Sequence, residues 1–132
     1  MTRCEMDAFE AFIIENELAD TSRLILSRKE WPVPEDPVLA GIPARDLAVG
    51  TILARRKLRR KVPQWYSCTS LVYPSALSAE QSSSSDTALY KAALVREVAG
   101  EGARVADLTG GLGVDSWAFA RTASAVLYND SS

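Results

Sequence analysis

The sequence contains no histidine. That absence removes a histidine general base, the Ser-His-Asp and Cys-His arrangements and every imidazole metal ligand from the chemistry open to the chain. Cysteine is scarce as well. Cys4 and Cys68 stand far apart with no CxxC spacing, so reduced thiols are expected rather than a disulfide framework, and no metal site is expected. No apolar run approaches the roughly 20 residues of a membrane-spanning helix, and the acidic start from Glu5 to Glu17 lacks the basic-then-apolar layout of a secretory signal. A soluble cytoplasmic chain with no membrane partner is the expectation. Its chemistry must come from carboxylates, lysine, hydroxyls or a bound cofactor.

What is present suffices for an ordinary core: 132 residues at 47% apolar content exclude both disorder and a tiny stapled fold. Net charge is −2, but the first twenty residues are acidic and the stretch from Arg55 to Lys61 is basic. Met6, Phe9, Phe12 and Ile13 recur at helical spacing opposite Glu5, Asp7, Glu10 and Glu15, predicting a short amphipathic helix. A second helix carrying Leu24, Ile25 and Leu26 is expected from a cap at Asp20 to Ser22, broken at Trp31-Pro32-Val33-Pro34. Asp36-Pro37 reads as a cap with proline at the first helical position. Pro43 restarts the helix, and Leu47, Ile52, Ala54 and Leu58 form its stripe until Pro63. Pro63 to Pro74 reads as loop with one extended piece, and Ser78 to Ser85 as a polar connector. The serines before Asp86 and Thr87 look like the capped start of a helix stopped at Gly100.

The run Ala103 to Leu108 suits a buried parallel strand, followed directly by Thr109-Gly110-Gly111-Leu112-Gly113-Val114-Asp115 and a helical run from Ser116 to Ala120. Strand, glycine turn and helix form the context of a nucleotide-binding loop, where side chains would hold the backbone away from the ligand. A second strand, Ala125 to Tyr128, is followed by Asp130, 23 positions beyond Asp107, where an acidic residue binds a ribose hydroxyl. A carboxylate at Asp115 opposes the pyrophosphate of NAD. It suits S-adenosylmethionine, which carries a sulfonium and an ammonium and no phosphate. Asp115 reads equally as a helix cap.

The spacing Asp107-x-x-x-Gly111-x-Gly113 is the first motif of class I S-adenosylmethionine-dependent methyltransferases. The wider strings Leu77-Ser78-Ala79-Glu80-Gln81-Ser82-Ser83, Thr87-Ala88-Leu89-Tyr90-Lys91-Ala92, Lys61-Val62-Pro63-Gln64-Trp65 and Leu71-Val72-Tyr73-Pro74 resemble a family of bacterial class I methyltransferases with a helical N-terminal module and a C-terminal THUMP-like domain. The resemblance implies an α/β chain: a helical module over 1–62, a connector over 63–85, and over 86–132 the truncated start, about two strands, of a Rossmann-like methyltransferase sheet. It implies S-adenosylmethionine as cofactor, with Asp107, Gly111 and Gly113 on its methionine side and Asp130 on its ribose; Thr109, Gly110 and Asp115 are further cofactor-binding candidates. At the second-strand end the family carries a glutamate followed by a basic residue, where this chain has Asn129-Asp130. An N-terminal fragment, inactive alone, with its acceptor-side residues on later strands, is expected.

RNA is the expected acceptor, because a THUMP-like domain and the basic run of Arg55, Arg56, Lys57, Arg59, Arg60 and Lys61 agree. The same run reads equally as a solvated helix end that leaves Leu58 pointing inward. Trp65 and Tyr66 are expected in the core and could otherwise stack on bases. The alternative function is a non-enzymatic helical module binding nucleic acid or a protein.

Overall fold

The computed structural model describes residues 3–20, 37–39, 42–73 and 75–131. Contacts divide the chain into two compact units, Met1–Arg59 with Trp65–Glu80, and Arg60–Gln64 with Gln81–Ser132. In the first, helix α1 (Arg3–Glu15) buries Phe9 and Ile13 one turn apart, as the apolar spacing requires. Its end is closed twice over, since the backbone N–H and the carboxamide of Asn16 both donate to the Phe12 carbonyl, at 3.1 and 2.9 Å. The helix expected around Leu24 to Leu26 and its break near Trp31 lie outside the described residues.

Pro37 does not open a helix. It begins β1 (Pro37–Leu39), which pairs antiparallel with β2 (Ile42–Pro43) in the register Pro37↔Pro43 and Leu39↔Ile42. A two-stranded ribbon is all edge, and proline's missing N–H is tolerated there. Helix α2 (Ala44–Lys61) follows at once. Leu47, Ala48, Thr51, Ile52, Ala54, Arg55 and Leu58 are buried along it, and Leu47, Ala48 and Ile52 join Phe9 and Ile13 in the core of this unit.

Thr51 is fully buried and makes a reciprocal pair with Tyr73. Its hydroxyl donates to the Tyr73 carbonyl at 3.2 Å and accepts from the Tyr73 N–H at 3.0 Å. Valine fills the same volume but satisfies neither buried backbone group. We expect Thr51→Val to lower unfolding stability by about 1–3 kcal/mol, read as a fall in the urea midpoint with unchanged slope.

Two segments differ from the sequence-based expectation. Residues after Pro63 form a single helical turn, α3 (Pro63–Tyr66), and the supposed connector contains helix α4 (Ala76–Gln81) with Ala79 buried. Proline suits the first turn of a helix, where its absent N–H would be unpaired in any case.

Tyr66 and Tyr73, both in the first unit, titrate above their ordinary value of 10.0. For Tyr66 the chief cause is its hydrogen bond to the Glu17 carboxylate, then burial, with Arg55 and Arg59 opposing; for Tyr73 it is burial. The folded state thus favours the neutral phenols. Their stabilisation is fully present below the unfolded value near 10 and is lost as pH rises through the higher folded values. Unfolding midpoints should fall as pH rises above about 10, and should fall less in Tyr66→Phe.

The second unit holds the α/β element. Helix α5 (Ser85–Ala99) is capped by Ser84, whose side chain accepts from the Thr87 N–H at 3.1 Å, and closed by Gly100, whose N–H donates to the Arg96 carbonyl. Strand β3 (Arg104–Asp107), helix α6 (Val114–Phe119) and strand β4 (Ala125–Tyr128) follow. The strands pair in parallel, Arg104↔Ala125 through Asp107↔Tyr128, with α6 as their crossover. Buried Ala88 and Ala92 on α5 and Ala118 on α6 let those two helices pack closely, and α6 also packs on both strands.

Candidate cofactor-binding site

A parallel βαβ unit brings the carboxyl ends of its strands and the start of its crossover helix to one edge, where ligands of open α/β sheets bind. Here that edge is tied together beyond the strands themselves. The Asn129 N–H donates to the Asp107 carbonyl at 2.8 Å, and the Gly110 N–H donates to the Asn129 carbonyl at 2.9 Å. The Gly113 N–H then closes a tight turn onto the Gly110 carbonyl at 2.9 Å.

The three loop glycines answer two different demands. Gly111 and Gly113 have φ of +53° and +96°, the left-handed region that side-chain-bearing residues avoid. A Cβ on Gly111 would meet no atom within 4 Å, so the backbone borders open space there. At Gly110 a Cβ would stand 2.1 Å from Cε2 of Tyr128, so that glycine exists for a neighbouring ring. Tyr128 also donates its hydroxyl to the Gly111 carbonyl.

Charged groups surround this turn. The Ser116 hydroxyl donates to Asp107 Oδ2 at 2.7 Å, fixing the carboxylate at the end of β3. Asp115 Oδ2 pairs with Lys91 Nζ at 3.1 Å, and the same ammonium donates to Ser83 Oγ at 3.1 Å. Asp115 Oδ1 is buried and makes no hydrogen bond. Asp115 is not the cap of α6: Gly113 occupies that position and no side chain caps it. Thr109 is exposed in the turn, and Asp130 lies half-buried two residues past β4.

Asp107, Thr109, Gly110, Gly111, Gly113 and Asp115 are therefore neighbours along one loop, and Asp130 follows the adjacent strand. No family model and no curated protein matches the chain. A solved structure does match: a putative methyltransferase from Porphyromonas gingivalis W83, at 33% identity and a TM-score of 0.63 over 98% of this chain. The fold is methyltransferase-like. The chain spans 29% of that protein's length.

The second unit also holds its loop with side chains that the sequence does not mark. In the sequence Lys91 is one residue of a family string, Ser116 falls in a helix and Tyr128 in a strand, yet all three bind the loop or its carboxylates. Only Ser116 lay close enough in sequence to be noticed, nine positions after Asp107. Nothing local marks Tyr128 or Lys91.

The basic run on α2 divides between inside and outside. Arg55 is 3% exposed, lies 4.5 Å over the Tyr66 ring, donates to the Tyr66 carbonyl at 3.1 Å and faces Glu17 at 3.9 Å, so Leu58 is not alone in pointing inward. Arg56 donates to the Glu17 carbonyl at 2.7 Å and to the Ala19 carbonyl. Lys61 donates to the Ser82 carbonyl at 2.9 Å. Lys57, Arg59 and Arg60 are exposed. Trp65 and Tyr66 are half-buried rather than core.

Of the carboxylates at this edge, Asp115 pairs with Lys91 and Asp107 accepts from Ser116. With open space beside Gly111 and an orphaned acceptor on Asp115, the residues suit a cationic ligand and oppose a phosphate.

Proposed function

We propose that this chain is the cofactor-binding part of a class I methyltransferase, holding S-adenosylmethionine at the turn between β3 and α6. The observation that carries the reading is the parallel pair ending in a turn whose left-handed Gly111 borders open space and is flanked in sequence by Asp107 and Asp115. Asp107 and Asp115 would attract the ammonium and sulfonium of the cofactor, Gly111 and Gly113 would let its methionine portion approach the backbone, and Asp130 would bind the ribose hydroxyls. The bound cofactor supplies an electrophilic methyl group; these residues bind and orient it. The 33% identity to the putative methyltransferase from Porphyromonas gingivalis W83 supports the same reading.

Calorimetric titration with S-adenosylmethionine tests it. We expect saturable binding that falls at least tenfold in Asp107→Asn, which keeps an acceptor for Ser116 but removes the charge, since one charge-assisted contact is worth about 1.5–3 kcal/mol. No binding by the unaltered chain, or equal affinity in the variant, would overturn the assignment.

RNA is the acceptor we propose, supported by the exposed Lys57, Arg59 and Arg60. The same observation favours a second reading, a non-enzymatic module that binds nucleic acid through α2. In that case filter binding of single-stranded RNA should be salt-dependent, lost in the triple alanine variant, and indifferent to S-adenosylmethionine.

A further inference from the structure

We propose that Tyr128 is a positioning residue for the ligand, a strap across the glycine loop that sets the loop's shape before the cofactor arrives. Resting on the reading of the loop as a cofactor site, the inference concerns a residue outside the glycine motif and outside the acidic position after β4.

Tyr128 is the last residue of β4 and stands opposite Asp107 in the parallel register. From that place its ring lies over Gly110, so close that a Cβ there would stand 2.1, 2.4 and 2.9 Å from three ring carbons. The ring also reaches to 3.8 Å of a Cβ built on Gly113. Its hydroxyl donates to the Gly111 carbonyl, fixing the peptide that leaves the left-handed residue. Two chain-to-chain bonds, Asn129 to Asp107 and Gly110 to Asn129, already tie the ends of the two strands together. They fix the base of the loop. In the tip, Gly111 to Gly113, the Gly113 N–H bonds the Gly110 carbonyl, the Gly113 carbonyl accepts from the Trp117 N–H on α6, and the Gly111 carbonyl is held by Tyr128.

Glycines are the residues that lose most conformational freedom on ordering. A tip with two glycines among its three residues therefore samples many shapes unless something outside it selects one, and a ligand that must select the shape itself binds more weakly. An aromatic side chain is suited to the task, being large and rigid with only two torsions to fix. Tyr128 is 48% exposed, so the ring spends much of its surface on the loop's flank and not in a core where packing alone would explain it. Tyr90, 64% exposed on α5, makes a natural control.

The test compares the unaltered chain with Tyr128→Phe, which keeps the ring and removes the hydroxyl, and with Tyr90→Phe. Two readouts are taken: amide hydrogen exchange at Gly113 without ligand, and calorimetric affinity for S-adenosylmethionine. In Tyr128→Phe we expect Gly113 to exchange several-fold faster and affinity to fall roughly fivefold, the scale of one hydrogen bond, with a small fall in thermal midpoint and the fold retained. Tyr90→Phe should change neither readout. Unchanged exchange at Gly113 would overturn the strap, and faster exchange with unchanged affinity would overturn its role toward the ligand. Absence of binding by the unaltered chain would overturn the cofactor reading itself and this proposal with it, an outcome visible before any variant is compared.

Discussion

Arg55→Ala is expected to lower the unfolding free energy of the first unit by about 2–4 kcal/mol. The guanidinium is 3% exposed, stacked 4.5 Å over Tyr66, bonded to the Tyr66 carbonyl and 3.9 Å from the Glu17 carboxylate, whose side chain is itself only 19% exposed. Removing it leaves a shielded carboxylate without its cation, a carbonyl without its donor and a void where the stem packed. The upper end of the range is moderated by two unsatisfied atoms, Arg55 Nε and Glu17 Oε1, which show that the cluster is not ideally bonded now. Arg55→Met keeps most of the stem and should lose less. Arg55→Met combined with Glu17→Leu should recover part of that loss, because apolar replacement of a whole pair is often tolerated. Arg59→Ala, an exposed change on the same helix, should stay within about 0.5 kcal/mol. Urea denaturation of the four variants decides the matter, and an Arg55→Ala midpoint equal to the unaltered one would return Arg55 to the pool of phosphate-binding candidates.

That arginine also shows where the sequence stops being informative. A run of six basic residues in seven positions reads as a solvated helix end, since nothing local reveals that Glu17 and Tyr66 meet one member of the run. Helix α1, helix α5 and strands β3 and β4 were legible because each carries its own signal: apolar residues at helical spacing, a serine cap with a terminating glycine, or a short run next to a glycine turn. The turns α3 and α4 are too short to show a period, and Asp36-Pro37 offers the same residues to a helix cap and to a ribbon edge. In the candidate site, the glycines and Asp107 announce themselves by spacing. Lys91, 24 positions from Asp115, and Tyr128, 17 from Gly111, become neighbours only through the crossover.

The same point makes Gly110→Ala the second change of large effect. Its φ lies outside the left-handed region, so the backbone itself would accept alanine. What it cannot accept is the collision: a methyl 2.1 Å from the Tyr128 ring forces that ring off the loop. Tyr128 then loses its bond to the Gly111 carbonyl and its packing over the turn, and we expect a loss of about 1–3 kcal/mol from the second unit. The cause is identified by a double-mutant cycle with Tyr128→Ala. With the ring already absent, the methyl enters empty space, so the double variant should be no less stable than Tyr128→Ala alone, giving a coupling of about 1–3 kcal/mol between residues 18 positions apart. Simple addition of the two losses would mean that the glycine answers to something other than the ring.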